Sequence, residues 1–340
     1  MADTCNASSS YTCRVLQSDE LDRWLEHTYR VFLESKGERA PDRRYFERHV
    51  HNDPASVDEV VRNVWVAVDA ADRILGALRV FRRRIYLRGS PVQVGGVGEV
   101  SVLAECRRQG IASALLQAAA AALEQDGVAL SSLHTSTSQP LYARYGWVSL
   151  PRRYARVQLP LSRDARDRMP VEPLDWQRAD QRRVCQGIYD AFCRRWDGCT
   201  VRDSDKYWER WVRDESGGIV YREHQRTPSA WIDHAGRAYA IVQRQADNSY
   251  RVRELVVSEH GMRDASMFLK AVLGVVSGVD QATSVPIVIP EPLVAYLGLQ
   301  AHVHGVEEDA GQMYRIINGS LLPHGMIRPE LHVAWDTDTF

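Results

Sequence analysis

The residues best suited to chemistry lie in one run, Gly98-Glu-Val-Ser-Val-Leu-Ala-Glu-Cys-Arg-Arg-Gln-Gly-Ile-Ala112. A valine-rich strand there enters a turn carrying Arg107 and Arg108, and Gly110 opens an alanine-rich helix. The first amides of a helix are unpaired and carry partial positive charge. With two arginines and a glycine that permits close approach, they make a cradle for a phosphate. An ordinary strand-to-helix turn with solvated arginines fits the spacing equally well. Two other nucleotide loops are excluded. Gly96-Val97-Gly98 is followed by Ser101 where a dinucleotide fingerprint needs its third glycine, and no Gly-Lys-Ser/Thr follows Gly110.

The elements that must position this run read as α/β. A strand at Cys13–Leu16 precedes a helix over Asp19–Ser35, with apolar spacing at Leu21, Trp24, Leu25, Tyr29 and Phe32. A second helix follows Pro41. Strands are expected at Val64–Val68, Leu75–Leu87 and Val92–Leu103, then a helix over Gly110–Gln125, rich in alanine and ended by Asp126-Gly127. A strand at Ala129–Thr135, a short helix at Pro140–Tyr145 and a strand at Trp147–Val157 complete the first half. The charged, proline-flanked segment from Pro160 to Arg168 reads as a linker. Beyond it the rhythm returns. Helices are expected at Arg178–Arg195 and Ser204–Asp214, and strands near Gly218–Arg222, Ser229–Asp233, Ala238–Gln243 and Tyr250–Val257. A helix at Met262–Val276 and strands at Pro286–Ile289 and Met313–Ile317 close the chain. The order of elements makes the second half a diverged repeat of the first, at a period of roughly 150 residues.

Composition bounds the rest. Of 340 residues, 44% are apolar and 26% charged, an ordinary globular balance that excludes wholesale disorder. Forty-three basic against 44 acidic side chains leave no global field to attract nucleic acid or an anionic membrane. The greasiest stretch, Ile111–Leu123, is interrupted by Ser113 and Gln117 and is shorter than the roughly 18 to 20 residues of a membrane span. The six cysteines make no CxxC, and the first residues show no signal-peptide pattern, so a cytoplasmic chain with reduced thiols is expected. His49 and His51, like His302 and His304, lack the further ligands of a metal site. Arg82-Arg83-Arg84 alternates between two strand faces and reads as a charged edge. Cys106 stands beside the turn arginines, which would lower its thiol pKa.

Arg107-x-x-Gly110-x-Ala112 after a valine-rich strand resembles the R/Q-x-x-G-x-G/A signature of the Gcn5-related N-acetyltransferase (GNAT) superfamily. Leu141-Tyr142-Ala143-Arg144-Tyr145-Gly146-Trp147 resembles that family's second motif, a tyrosine followed by x-x-x-G-[FYW]. The resemblance implies two tandem GNAT-like domains, each a mixed, mostly antiparallel sheet flanked by helices. The catalytic domain would be 1–160, the linker 161–169, and 170–340 a degenerate copy with a C-terminal extension. It implies acetyl-CoA as acetyl donor, no metal, and an amine acceptor. The amides from Arg108 through Gln109, Gly110 and Ile111 to Ala112 would hold the pyrophosphate, with Arg107 flanking. Val100 and Val102 would offer main-chain groups to the pantetheine arm where their strand splays from its neighbour. Tyr142 matches the tyrosine that protonates the departing thiolate.

Glu99 is the candidate base, acting on the acceptor ammonium through water. Strand alternation sends it away from the face of Val100 and Val102, so only a bulge would turn it inward; an exposed strand glutamate is the simpler expectation. The two-part layout resembles the Eis-like acetyltransferases without their sterol-carrier domain, and also fungal free-lysine acetyltransferases. Thr137 aligns with an Eis-like serine. The Eis-like base is the carboxylate of a C-terminal phenylalanine; the match of Phe340 to it is taken as coincidence. Glu259-His-Gly-Met-Arg263 stands where the second half would need its phosphate loop and lacks the spacing. The reading is therefore an N-acetyltransferase acting on a primary amine. The alternative is a non-catalytic acyl-CoA sensor or interaction protein on a duplicated scaffold.

Overall fold

In the computed structural model, residues 11–37, 40–161, 169–215, 227–278, 284–322 and 327–338 are described. The expected strand at Gly218–Arg222, nearly all of the expected linker and Phe340 lie outside them.

The chain begins with β1 (Thr12–Val15), α1 (Leu21–Lys36) and α2 (Arg43–His51). Asp42 caps α2, its carboxylate accepting the Tyr45 amide at 2.9 Å. A short α3 (Val57–Arg62), unforeseen from the apolar pattern, opens on a capping box in which Ser56 and Glu59 satisfy each other's amides. Then come β2 (Val64–Val68), β3 (Ile74–Leu87), β4 (Ser90–Val102), α4 (Ile111–Gln125), β5 (Leu130–His134), α5 (Gln139–Ala143) and β6 (Val148–Ser149). Helix α4 lays Ile111, Leu115, Leu116 and Leu123, all essentially fully buried, on the sheet. Each such side chain stabilises the fold by roughly 1.5–3 kcal/mol. The first turn of α4 approaches β3 at Gly76, where a Cβ would lie 2.7 Å from the Ile111 Cγ2 methyl.

The second half supplies β7 (Arg152–Pro160), β8 (Val171–Pro173), α6 (Ala179–Cys193), a π-helical turn (Tyr207–Val212), β9 (Ser229–Asp233), β10 (Ala238–Arg244) and β11 (Tyr250–Val257). It ends with α7 (Ala265–Ser277), β12 (Ser284–Pro290), α8 (Pro292–Tyr296), β13 (Val303–Asp309) and β14 (Gln312–Ile316). Among the described residues these strands form two seven-stranded sheets, ordered β1-β2-β3-β4-β5-β14-β6 and β8-β9-β10-β11-β12-β7-β13. Pairing is antiparallel except for β4 with β5 and β11 with β12.

The sheet orders correspond position by position, with one exchange. β7 lies in the second sheet between β12 and β13, and β14 lies in the first between β5 and β6. The single strand expected over Trp147–Val157 is thus two strands in two sheets. Pro151 separates them, since it has no N–H to offer a continuing ladder. The strand expected near Met313 closes the first sheet rather than the second.

The segment 327–338 ties the halves together. The Asp197 carboxylate accepts from both the amide and the guanidinium of Arg328 and from the Arg88 amide. Farther on, Trp335 and Thr337 are buried against the second sheet. There β12 pairs with β11 only at Tyr250 and Arg251, and beyond that point β11 runs on to Val257 without it. Residues 336–338 settle against the unpaired part of β11. Arg251 pairs with Asp336, Arg253 donates to the Asp336 carbonyl at 3.2 Å, and the Trp211 indole donates to the Thr337 carbonyl at 3.1 Å.

Candidate active site

β4 and β5 pair only over Val94–Val97 and Leu130–Leu133, while β4 stays on β3 as far as Val102. A gap therefore opens between the two parallel strands beyond Val97 and Leu133. Val100 and Val102 border it, half-buried, with side chains against the α4-side core. Past Val102 the chain makes a short 3-10 turn and enters α4 with two left-handed residues, Arg108 at φ 63° and Gly110 at φ 83°. Arg108 adopts a conformation that costs a side-chain-bearing residue, and glycine serves the second position without that cost. As a result the amides of Arg108, Gly110, Ile111 and Ala112 donate to no backbone carbonyl among the described residues. Arg107, Arg108, Gln109 and Gly110 are exposed. The Arg107 Nε donates to the Val102 carbonyl at 3.3 Å, and the Gln109 side-chain amide to the Glu105 carbonyl at 3.3 Å. Cys106 departs from expectation. It is buried under this turn, and burial raises its thiol pKa.

Tyr142, on α5, belongs to the same apolar cluster as Val97, Ile111 and Leu133, with the Trp147 ring edge-on at 6.3 Å. Burial pushes its phenol up to about 12, so it holds its proton throughout the neutral range. Thr137 sits exposed in the preceding turn, its amide and that of Ser138 directed at the Thr135 Oγ1.

Glu99 is where alternation fails. Ala77 faces Ser101 and Arg79 faces Gly98, so Glu99 and Val100 together oppose Leu78, and Glu99 takes φ 53°. This bulge turns the Glu99 side chain inward and leaves it 6% exposed, which corrects the expectation of a solvated strand glutamate. Its carboxylate lies 3.7 Å from His49 Nδ1 and 3.9 Å from the Arg79 guanidinium, and neither oxygen accepts a hydrogen bond within the described residues.

The register explains the space around it. Phe81 faces Gly96 and Arg79 faces Gly98, while Gly96 also faces Ser132 on β5. Residues directly opposite share a sheet face, so the two glycines leave a stretch of β4 bare between flanking side chains. On β3, Arg79 and Arg83 both bond Asp53, at 2.6 and 2.8 Å, and the Arg79 guanidinium lies 4.0 Å over the Phe81 ring. Arg82 and Arg84, on the other face, pair with Asp126 and Asp203. The second half closes over the bare stretch with Trp211, 5.2 Å from the Arg83 guanidinium, and with Glu215. His49 is held between the Tyr45 ring at 4.0 Å and the Trp211 ring at 5.0 Å, with its Nε2 3.9 Å from Glu215. Arg253 donates to the Glu215 carbonyl at 2.8 Å. Burial alone would lower the His49 pKa, but Glu215 and Glu99 together outweigh it and raise it.

Of the residues expected to act, the structure gathers Val100, Val102 and Arg107–Ala112 along the gap and the helix entrance, with Tyr142 in the core beneath. His49, Asp53, Arg79, Glu215 and Arg253 were not foreseen. The available signal was Gly96 and Gly98, spaced two apart on a strand, which mark a face without side chains.

Residues 12–149 match the family model described as "Acetyltransferase (GNAT) domain". Over those residues the chain is similar to GNAT acetyltransferase domains. A Streptomyces griseus protein described as an uncharacterized N-acetyltransferase is 26% identical over 188 residues, which is 53% of this chain and 41% of that protein's own length. Among solved structures, a GCN5-related N-acetyltransferase of Anabaena variabilis superposes with a TM-score of 0.65 at 16% identity, covering 91% of this chain and 73% of that one. Eis1 of Mycobacterium abscessus gives 0.60 at 17%, covering 91% and 74%. The myristoyl-CoA complex of Saccharomyces cerevisiae N-myristoyltransferase gives 0.54 at 8%, covering 90% and 83%. The likeness in fold therefore extends across both halves and agrees with tandem GNAT-like domains. No helix among the described residues is long and apolar enough to cross a membrane.

Proposed function

We propose that the protein is an acetyl-CoA-dependent N-acetyltransferase that moves the acetyl group directly to a primary amine. The observation that carries this reading is the helix entrance at the end of a strand that parts from its parallel neighbour, where the amides of Arg108, Gly110, Ile111 and Ala112 donate to no backbone carbonyl among the described residues. Those amides and the α4 dipole suit a pyrophosphate, with Arg107 and Arg108 adding charge. The gap beside Val100 and Val102 has room for an extended arm, whose amides would pair with the unladdered edge of β4. The thioester would then reach the face bared by Gly96 and Gly98.

On that face the amine, arriving as an ammonium, gives a proton to Glu99. The amine's lone pair attacks the thioester carbon, and β4 amides stabilise the oxyanion. The C–N bond forms, the C–S bond breaks and its electron pair goes to sulfur. Tyr142 donates a proton to that sulfur, and the second proton lost by the nitrogen returns through solvent to restore the phenol. The test is release of free thiol from acetyl-CoA in the presence of a panel of primary amines. Thiol release that depends on the amine supports the reading; cofactor binding without transfer to any amine contradicts it.

A further inference from the structure

Glu99 does not end in the apolar core. Its carboxylate faces His49 Nδ1 at 3.7 Å, and the other ring nitrogen, Nε2, faces Glu215 at 3.9 Å. The three side chains come from β4, α2 and the helical turn that follows Tyr207–Val212, so the row exists only because the second half closes on the first. All three are about 95% buried, and neither His49 nitrogen has a hydrogen-bond partner within the described residues. The neighbouring charges are otherwise committed. Arg79 and Arg83 bond Asp53, and Arg253 holds Glu215 through its carbonyl at 2.8 Å and its carboxylate at 3.5 Å. The rings of Tyr45 and Trp211 hold the imidazole with one nitrogen toward each carboxylate.

We propose that His49 is a proton relay between Glu99 and Glu215, so that the second half supplies the outlet for the proton that the acceptor ammonium must lose. The proposal rests on the acetyltransferase reading above. In the step, Glu99 takes one proton from the ammonium and hands it to His49 Nδ1, and His49 releases its Nε2 proton to Glu215. The amine gains a free lone pair and one proton ends on Glu215; the next turnover needs loss of that proton to water and return of His49 from its Nδ1–H to its Nε2–H tautomer. No oxidant, metal or further reactant enters. His49 touches no reacting atom; it acts through Glu99.

Among the described residues, the titratable and charged groups around His49 are Glu99 from β4, Arg79 from β3, Tyr45 from α2, and Glu215 with its partner Arg253 from the second half. Only the two carboxylates oppose its ring nitrogens, so removing either should lower the pKa of His49. In the full-length protein, the ring signals of His49 are followed by NMR against pH in the parent and in Glu215→Gln and Glu99→Gln, with His49→Gln providing the assignment. A downward shift of about one unit or more is expected in each carboxylate variant. In parallel, kcat/KM for an acetylated amine is measured against pH. Glu215→Gln should move the acid limb to lower pH by the same amount. His49→Gln should remove that limb and lower the plateau by about 10²-fold, with acetyl-CoA affinity and melting temperature kept. A His49 signal that ignores both carboxylates overturns the proposal, as does a rate limb that stays in place in Glu215→Gln. A parent protein that acetylates no amine overturns the acetyltransferase reading and the relay together, whereas an active parent with unmoved profiles overturns the relay alone.

Discussion

β4 leaves β5 after Val97, and β11 leaves β12 after Arg251, so each half has a gap at the same place in its sheet. Among the described residues, the turn that follows in the first leaves amides without backbone acceptors, and Glu99 is buried with no hydrogen bond to either oxygen. In the second, the turn consumes its own amides, those of Gly261, Met262 and Asp264 bonding back to Ser258, Glu259 and Gly261. Glu254, the glutamate of the strand that matches β4 in sequence, is saturated by the Arg202 guanidinium at 2.9 and 2.7 Å, by the Tyr239 hydroxyl at 2.6 Å and by Thr337. The 336–338 segment lies along β11 where a cofactor arm would pass. A buried carboxylate without hydrogen bonds is costly, and such groups concentrate at functional sites. The second half satisfies its own glutamate internally, and on the proposed reading it serves as scaffold and as a wall of the first half's site.

The comparison is most directly broken at the two turns. Gly110→Glu places a side chain and a negative charge at a left-handed helix entrance and should abolish acetyl-CoA binding in calorimetry. Met262→Glu, an exposed position in the corresponding turn, should leave the affinity unchanged; a loss there would assign the cofactor to the wrong half.

Next is the saturated glutamate. Arg202 is fully buried between Glu254 and Asp338, and Arg202→Ala should lower unfolding stability by about 3–5 kcal/mol, because it strands two buried carboxylates. Denaturation that loses less than about 1 kcal/mol would show the pair to be dispensable.

Tyr142→Phe should lower kcat by about 10²-fold while the acetyl-CoA dissociation constant holds, and an unchanged kcat would remove the phenol from the mechanism.

The smallest expected effect concerns the tail. Burial lowers the His332 pKa from 6.5 to about 4, and its ring lies 3.0 Å from the Tyr314 hydroxyl. A histidine depressed on folding stabilises fully above its unfolded value, and that contribution fades as pH falls from about 6.5 toward 4. The melting temperature should therefore decline over that interval, and less steeply in His332→Gln; parallel declines would exclude His332 as a cause.

The helix entrance proposed as a phosphate cradle was legible in the sequence because its determinants are local. Arg107, Gly110 and Ala112 lie within six residues, and the helix that follows announces itself by its alanines. The face bared by Gly96 and Gly98 was not, since His49, Asp53, Glu215 and Arg253 meet there from four separate segments. Glu99 misled because alternation holds only along an unbroken ladder, and its positive φ marks the break. The exchange of β7 and β14 was also hidden. Apolar alternation identifies a strand and its inner face, while the choice of sheet depends on contacts made elsewhere.

The central claim, that one gap is open to the cofactor and the other is filled by the chain itself, is tested most directly by isothermal titration of the whole protein with acetyl-CoA. The account requires one site per chain. Two sites would contradict the filled second gap, and no binding at millimolar cofactor would contradict the open first one.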